Sequence, residues 1–312
     1  MNKFKYSDSN KRYYTLDYFY KKKFGCKVFK VSLNGGFSCP NKDGKVGYGG
    51  CIYCSKLGSG DFAGDLNEPL DVQFTTIRDK MLKKWPNAKH IAYLQTGSNT
   101  YMNIDKFKNI VESLLKQDNV VGISIATRPD VISDEYYNYF EKLNKKTFLT
   151  VELGLQSSNE NTLKLINRGH DTKSFENAVN KLHKLNIFVV AHIINGLPYE
   201  TKEDMLNTVK FLNNLKVDAV KIHMLHILKG TEIEKLYNKE KFYILTKEEY
   251  IDIVINQLEL LDEKIVIERI TGDPIKDDLI APLWLTKKFC LLNDIDKEMV
   301  KRDTYQGKKN NN

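Results

Sequence analysis

The sequence contains no apolar run of the roughly 18–20 residues that a membrane-spanning helix requires. Residues 1–12, MNKFKYSDSNKR, also lack the apolar core of a secretory signal peptide. These two absences predict a cytoplasmic protein with no membrane partner. Hydrophobic residues make up 41% of the chain and charged residues 28%, as in ordinary globular proteins. The 312 residues are enough for one large domain, or for a domain with an extension.

Cysteine is scarce as well. The chain has five cysteines, an odd number that does not suit a framework of disulfides. In a reducing compartment, closely spaced cysteines bind metals more often than they form disulfides. Cys39, Cys51 and Cys54 fall in one glycine-rich run, GGFSCPNKDGKVGYGGCIYCSKLGSGDFAG. This run is therefore the candidate metal site.

Three thiolates can hold three corners of a metal centre. The fourth corner is open in a centre that performs chemistry, whereas a remote ligand closes it in a structural zinc site. Cys26 or a histidine is the candidate for such a remote ligand. The spacing of the cysteines alone does not choose between these two kinds of site.

Positive charge concentrates near the N-terminus. The chain has a net charge of +8, and residues 1–24 hold seven Lys or Arg against two Asp, with eight aromatic residues between them. Cations for phosphates beside aromatic faces for unstacked bases are typical of a nucleic-acid footprint. The alternative is an amphipathic helix around residues 13–23, whose aromatic side chains pack on the domain and whose lysines are solvated.

From residue 27 onward, strand patterns alternate with helix patterns. Strands are predicted at 27–34, 89–95, 120–126, 147–156, 187–194 and 218–225. Helices are predicted at 69–85, 104–117, 133–144, within 159–186 and at 202–215. Ser133 and Thr201 are the expected capping residues of two of these helices. Six successive β-then-α units predict parallel strands joined by right-handed crossovers.

The alternating part of the chain spans about 210 residues, fewer than the roughly 250 of a closed eight-stranded barrel. The predicted fold is therefore α/β, a partial (β/α)6 TIM-type barrel over residues 25–235. Residues 1–24 form a basic and aromatic N-terminal extension, and residues 236–312 form a C-terminal α/β extension. A flat doubly wound sheet is the alternative. In both geometries the catalytic and binding residues lie at the carboxyl ends of the strands. The cysteine run follows the first strand and is therefore expected at that end.

The fourth predicted strand, in TVELGLQS, has an unusual polar face. Glu152, Gly154 and Gln156 alternate with three apolar residues and so share one face. A carboxylate in the middle of a strand is costly to bury without a partner. Its partner is either a bound ligand or a salt bridge to Lys221 or Arg128. Three histidines on later strands are weaker candidates, since strand histidines are more often structural: His192, His223 and His226.

The pattern Cys39-x11-Cys51-Ile52-Tyr53-Cys54 after the first strand of a partial barrel resembles the radical S-adenosylmethionine (SAM) superfamily. The long first spacing is similar to that of the branch that contains the catalytic subunit of Elongator. The chain is most similar to the bacterial YtqA/YhcC-type, MnmL-like proteins. The strings that carry this resemblance span about residues 25 to 308: GGFSCPNKDG, GGCIYCSKLGSGDFAG, ATRPD, VELGLQS, NRGHD, NGLPYET, LKGT, ITGDP, APLW and TYQGK.

The resemblance implies two cofactors, a [4Fe–4S] cluster and SAM. By the same resemblance, Cys39, Cys51 and Cys54 hold the cluster, and the amino and carboxylate groups of SAM chelate the fourth iron. Electron transfer to SAM then gives a 5′-deoxyadenosyl radical. The protein's part is to place that radical and to exclude water.

The resemblance also implies contacts to SAM. Tyr53 borders the adenine, Glu152 contacts the ribose, and Arg168 contacts the carboxylate. Asn195 and Gly196 form a turn that lets the backbone approach the adenine. One departure concerns the second strand, where the superfamily often has GGE and this chain reads LQTGSNTY. Gln95, with Thr96 and Ser98, is the candidate replacement there.

Members of this branch are associated with modification of the wobble uridine of tRNA. The resemblance implies removal of the carboxymethyl group of 5-carboxymethylaminomethyluridine to give 5-aminomethyluridine. It also implies tRNA as substrate and a reductase, flavodoxin or ferredoxin as electron donor. Arg269 and Asp273 in IERITGDP are expected near the barrel mouth without an assigned role. Two alternatives remain open: a radical SAM enzyme for a protein or small-molecule substrate, and a non-enzymatic metal-containing RNA-binding module.

Overall fold

The computed structural model describes residues 4–55, 58 and 60–310. In this part of the chain, no helix has both the length and the apolar character needed to cross a bilayer. Residues 4–310, apart from 56, 57 and 59, form nine strands: β1 (Val28–Leu33), β2 (Lys89–Leu94), β3 (Val120–Thr127), β4 (Phe148–Gln156), β5 (Phe188–Asn195), β6 (Ala219–Met224), β7 (Ile227–Leu228), β8 (Val266–Arg269) and β9 (Leu279–Ala281).

The same described residues contain ten α-helices: α1 (Leu16–Phe24), α2 (Leu70–Leu82), α3 (Ile104–Leu115), α4 (Asp134–Asn144), α5 (Glu160–Leu165), α6 (Thr172–Lys184), α7 (Lys202–Leu215), α8 (Glu232–Glu240), α9 (Lys247–Leu260) and α10 (Lys288–Lys301). Short 3-10 helices occupy Pro129–Val131 and Leu283–Lys287. The predicted caps are present: Ser133 begins α4, and Thr201 forms a capping box with Asp204 on α7.

Seven strands form one parallel sheet in the order β1-β2-β3-β4-β5-β6-β8. The side chains on its inner face show that it is curled. Lys30 on edge strand β1 lies 2.6 Å from Glu268 on edge strand β8. In a flat sheet, six strand spacings of about 4.8 Å would hold these edges almost 30 Å apart. The predicted partial barrel is confirmed, and the flat alternative is wrong.

The outer face of the sheet is apolar and carries the helices. Val151, Leu153 and Leu155 of β4 are fully buried in the main hydrophobic core. On α3, Phe107, Val111 and Leu114 recur at helical spacing and are buried in the same core. Strand alternation and helix periodicity therefore place the helical layer outside the barrel, and the polar residues of β4 point inward.

Helix α1 closes the amino-terminal end of the barrel. Its Tyr20 is 2% exposed and packs with residues at the start of β1 and β2, and Phe19 stacks on Phe188 at 5.0 Å between ring centroids. The lysines stay near the surface, where Lys21 pairs with Asp17 at 2.8 Å and Lys23 lies over the Phe148 ring. For these aromatic rings the structure supports packing on the domain, the alternative to base stacking.

Six strands of this sheet are predicted from the sequence, whereas the structure has seven. The additional strand is β8, which lies in the predicted C-terminal extension and pairs with β6. Four residues are too few for alternation to identify a strand. A second, two-stranded sheet joins β7 to β9. The boundary at residue 235 stays a prediction, although the sheet continues beyond it.

A cluster of buried charges lies in the middle of the barrel. Lys30 contacts both Glu152 and Glu268, at 2.7 and 2.6 Å, and Lys221 on β6 also pairs with Glu152. Burial alone raises the pKa of Glu152, but Lys221 and Lys30 outweigh it and hold that pKa well below its usual range. Two cations and two anions give a neutral group that links β1, β4, β6 and β8.

We predict that Glu268→Gln lowers the free energy of unfolding by about 3–5 kcal/mol, because it leaves an uncompensated buried cation. Chemical denaturation measures the effect. The matched control is Glu141→Gln, which breaks an exposed pair with Lys145 and should leave stability unchanged. The double variant Lys30→Met with Glu268→Gln restores neutrality and should recover most of the loss. Lys30→Met is measured alone as well. This account is contradicted if the double variant loses as much free energy of unfolding as the two single variants lose together.

Candidate active site

A cavity of about 830 Å³ opens at the carboxyl ends of the strands and continues along the β1 edge toward α1. This volume lies within the range of roughly 300–1,000 Å³ that is typical of small-molecule sites. Its wall includes the residues that follow β1, β2, β3, β6 and β8. Of the predicted site residues, the cavity wall contains Cys39, Cys51, Cys54, Tyr53, Gln95, Glu152 and Arg168.

The cysteine loop after β1 is held by hydrogen bonds within itself and to the segment after α5. Within the loop, Lys42 N–H donates to the Cys39 carbonyl at 2.8 Å and Cys54 N–H donates to the Cys51 carbonyl at 3.0 Å. Buried Asn41 donates through Nδ2 to the Asn167 carbonyl at 2.6 Å. Asn167 in turn donates to the Gly50 carbonyl at 2.8 Å. These bonds hold the loop at the cavity wall.

All five cysteines are free thiols. Cys51 is buried next to Cys54, and hydrogen bonding from Cys54, with the nearby Arg168, holds the pKa of the Cys51 thiol well below its usual range. Among the described residues no three His, Cys, Asp or Glu side chains form a ready metal-binding group, so Cys39 shares the cavity with the other two thiols without completing a ligand set. The three free thiols on this wall are the kind of ligand that an iron–sulfur cluster takes, although they are not gathered around one point.

Cys26 does not share this wall. It packs with residues at the start of β1, next to α1, whereas Cys39 follows the end of that strand. Six residues of extended chain separate these ends by about 20 Å. Cys26 is therefore too far away to be the remote ligand of a four-thiolate site.

Arg168 lies directly beside the cysteine loop. Its Nη1 is 3.5 Å from the Cys51 sulfur, its Nη2 donates to the Gly154 carbonyl at 2.7 Å, and its buried Nε has no partner among the described residues. Gly154 makes room for it, because a Cβ there would lie 2.6 Å from Nη2. The guanidinium thus brings a positive charge and a free donor to the thiols.

Tyr53 packs against the smaller hydrophobic cluster that includes Leu163 and Ile166. Burial, together with the charge of Cys51, raises the pKa of its hydroxyl well above the usual range. The ring is therefore a neutral, largely apolar part of the cavity wall next to the thiols.

The loop after β2 packs on the backbone just before Cys39. Ser98 N–H donates to the Ser38 carbonyl at 2.9 Å. Gly97 has a φ of +65°, and a Cβ there would lie 2.3 Å from the Phe37 carbonyl oxygen. Gln95 lies on the cavity wall next to this contact. A glycine is thus required where the two loops meet.

Glu152 has protein partners on every side. Besides the two lysines, it accepts hydrogen bonds from the Tyr93 hydroxyl at 2.8 Å and the Ser124 hydroxyl at 2.6 Å, and it lies 2.7 Å from His192 Nε2. The salt bridge to Lys221, one of the two predicted alternatives, is present. Arg128 instead forms a bidentate pair with Asp130.

Asn195 and Gly196 are not part of the cavity wall. The Asn195 amide exchanges two hydrogen bonds of 2.8 Å with Gln257 on α9. Gly196 has a φ of +80°, and its N–H points to Met205. The structure therefore separates these two residues from the other predicted cofactor contacts, and their role stays a prediction.

Several residues of the cavity wall have no place in the sequence-based site. Lys30, Tyr93 and Glu268 point into the barrel beside Glu152. Their position in the strand sequence could have indicated this, since Lys30 alternates with apolar Phe29 and Val31 and so lies on the opposite face of β1. What this alternation does not give is which of the inward side chains meet.

A curled parallel sheet with a cysteine-bearing loop after its first strand defines a radical SAM-type barrel. Residues 45–212 match the sequence model of the Radical SAM superfamily, and residues 217–301 match that of the Radical_SAM C-terminal domain. The chain therefore belongs to the radical SAM superfamily. It is a radical SAM enzyme, and its cofactors are a [4Fe–4S] cluster and SAM.

Within this superfamily the chain is of the YtqA/YhcC type. It is 47% identical to the uncharacterized protein YtqA of Bacillus subtilis (strain 168), over 98% of this chain and 95% of that protein. It is 28% identical to YhcC of Escherichia coli (strain K12), over 88% of each chain. The family resemblance inferred from the motifs is confirmed.

Two further matches involve archaeal proteins. The solved structure of Methanocaldococcus infernus Elp3 with an N-terminal deletion superposes with a TM-score of 0.67 at 21% identity, over 89% of this chain and 64% of that one. This likeness shows the shared fold. A tRNA uridine(34) acetyltransferase of the same organism is 28% identical over 49% of this chain and 29% of its own length.

We predict that Gly97→Ala lowers both the stability and the iron content of the reconstituted protein, because its Cβ would displace the Phe37 and Ser38 backbone that leads into Cys39. Gly25→Ala is the matched control, since Gly25 has a similar φ of +72° but nothing within 4 Å of its Cβ position. The control should lose only about 1–2 kcal/mol of stability, which is the cost of an alanine in the left-handed conformation, and should keep its iron. Equal iron content in the two variants would contradict the proposed contact.

Proposed function

We propose that this enzyme acts on the wobble uridine of tRNA and removes the carboxymethyl group of 5-carboxymethylaminomethyluridine to leave 5-aminomethyluridine. The observation that carries the proposal is the cavity at the barrel mouth, with three free thiols on its wall and enough volume for a cofactor and a nucleoside. The cluster and SAM together supply a radical that removes a hydrogen atom from the substrate.

Cys39, Cys51 and Cys54 would hold the cluster, and the cavity that they line would take SAM beside it. Arg168 is well placed to bind the SAM carboxylate, because its Nε is unpartnered and its Nη1 already touches Cys51. Tyr53 offers an aromatic face next to the thiols. The Glu152 oxygens are engaged by Tyr93 and His192 within the barrel, so its contact with the SAM ribose stays a prediction.

A tRNA substrate is supported by charge and by the partial match to an enzyme named for tRNA uridine 34. The chain has a net charge of +8 and a pI near 8.9, which favours association with a polyanion. With tRNA as substrate, the reaction is proposed to take place in the cytoplasm. The proposed electron donor is a reductase, flavodoxin or ferredoxin.

The proposed reaction balances as a two-electron oxidation of the carboxymethylamino group. The methylene carbon of the carboxymethyl group would lose a hydrogen atom and an electron, and the amine would lose its N–H proton to solvent, so that an N=CH bond forms. The bound cluster and SAM would supply the acceptors of that hydrogen atom and electron. Water then splits that bond into the aminomethyl group and glyoxylate. SAM is consumed as methionine and 5′-deoxyadenosine.

We predict that the anaerobically reconstituted protein holds about four iron and four sulfide per chain. Cys39→Ala, Cys51→Ala and Cys54→Ala should each reduce this content strongly and abolish reductant-dependent 5′-deoxyadenosine. Cys26→Ala and Cys290→Ala are the matched controls and should retain both. Loss of the centre in Cys26→Ala alone would point to a four-thiolate site instead.

We predict that the reconstituted enzyme, given reductant and SAM, converts tRNA that carries 5-carboxymethylaminomethyluridine. Nucleoside mass spectrometry should show 5-aminomethyluridine forming in equal amount to 5′-deoxyadenosine and glyoxylate. The same tRNA with an unmodified wobble uridine is the control and should give no product. In a strain that lacks the gene, the carboxymethylaminomethyl nucleoside should accumulate, and an unchanged nucleoside profile would reject the proposed substrate.

A further inference from the structure

The β6–β8 side of the cavity carries polar groups that neither the thiols nor the buried charge cluster uses. His223 lies on β6, His226 lies in the loop after it, and Arg269 ends β8. All three line the cavity. The register pairs Arg269 with Lys221, two residues before His223, so strand pairing brings Arg269 and His223 to the same region of the wall.

Two of these groups lack hydrogen-bond partners. Nε2 of His223 and Nε2 of His226 are both buried and make no hydrogen bond within the described part of the chain. A buried polar atom without a partner is costly, and in a cavity wall it indicates a ligand that completes its bonding. Both rings are neutral at pH 7: burial lowers the pKa of His226 to about 4 and that of His223 well below its usual range. A neutral imidazole offers one N–H to a ligand.

Arg269 adds a positive charge that is only partly neutralised. Its nearest acidic group is Asp273, at 3.6 Å, and both oxygens of Asp273 accept hydrogen bonds from Lys288, at 2.8 and 2.6 Å. These three side chains together carry one net positive charge. The Arg269 side chain is 40% exposed, so its guanidinium is accessible from the cavity. The charge cluster below is neutral and does not compensate this excess.

The position of His226 depends on a glycine. A Cβ at Gly272 would lie 2.6 Å from His226 Nε2, so the imidazole rests directly on the glycine backbone. The turn that contains Gly272 is anchored where the Tyr250 hydroxyl donates to the Ile270 carbonyl at 3.0 Å. The ring is therefore held against a fixed surface in the cavity wall, and a ligand would have to reach Nε2 at the edge of the Gly272 turn.

We infer that His223, His226 and Arg269 form a binding site for the carboxylate of the substrate. The site carries one net positive charge, a guanidinium with parallel N–H groups and two neutral imidazoles. This set matches a single carboxylate better than a doubly charged phosphate. The inference rests on the proposed function, in which the group to be removed ends in a carboxylate. The other carboxylate in the cavity is that of SAM, for which Arg168 beside the thiols is available.

The test uses the full chain with its reconstituted cluster and two tRNAs that differ only at the wobble position, one with the carboxymethylaminomethyl group and one with the aminomethyl group. The wild type should bind the carboxylated tRNA at least about tenfold more tightly. Arg269→Gln should remove most of this preference, and Arg269→Lys, which keeps the charge, should retain part of it. His226→Phe, which keeps a ring without nitrogens, should reduce the preference several-fold.

Arg302→Gln is the matched control, because Arg302 directly follows the last helix and pairs with Asp252 and Glu298 away from the cavity. It should weaken binding of both tRNAs equally and keep the preference. Measuring the affinity of each variant for SAM shows whether the site binds the carboxylate of the substrate or that of SAM. A tenfold loss of SAM affinity in Arg269→Gln would assign the site to SAM and overturn the inference.

Two other results are distinguishable. If the wild type converts the carboxylated tRNA and Arg269→Gln keeps the full preference, this binding site is wrong while the proposed function stands. If the wild type binds both tRNAs equally and converts neither, the proposed function fails and the carboxylate site fails with it.

Discussion

The structure depends on a neutral cluster of four charges in the middle of an open barrel. Lys30 on the first strand reaches Glu268 on the last, and Glu152 and Lys221 connect these edges to the centre of the sheet. Charges buried in a protein are tolerated only when they are paired and hydrogen-bonded. Because β1 and β8 have no ladder between them, this cluster joins the two edges through side chains where backbone hydrogen bonds do not.

The cluster divides the barrel interior into layers with different tasks. Below it, Tyr20 and Phe19 of α1 fill the amino-terminal end with apolar rings. Above it, the wall of the cavity carries the thiols with Arg168 and, on the β6–β8 side, the histidines with Arg269. Arg168, His223 and His226 each have a polar atom without a partner at this upper level, and the Tyr20 hydroxyl is such an atom below the cluster. The lower layers close the barrel, and the upper layer is left with unsatisfied donors that a cofactor and a substrate can use.

Much of this arrangement is predictable from local pattern. Alternation along TVELGLQS places Glu152 inside, and capping residues mark the starts of α4 and α7. Other features depend on contacts distant in sequence. The ring of Phe19 suits a base or a hydrophobic core equally well, and the packing on Phe188 decides between them. Strand β8 is too short to show a period, and it forms because β6 offers an unpaired edge.

The sequence by itself determined the class of the protein. The cysteine pattern after the first strand of a β-then-α series is local, so residue types and spacings are enough to identify it. It also determined that Glu152, Gly154 and Gln156 share one face of the fourth strand. Only the tertiary structure decided which inward groups meet: that Glu152 is bound within the barrel, that Asn195 turns to Gln257, and that Arg269 and two histidines remain available in the cavity. The curvature of the sheet sets these meetings, and curvature arises from the packing of all strands and helices together rather than from any one segment.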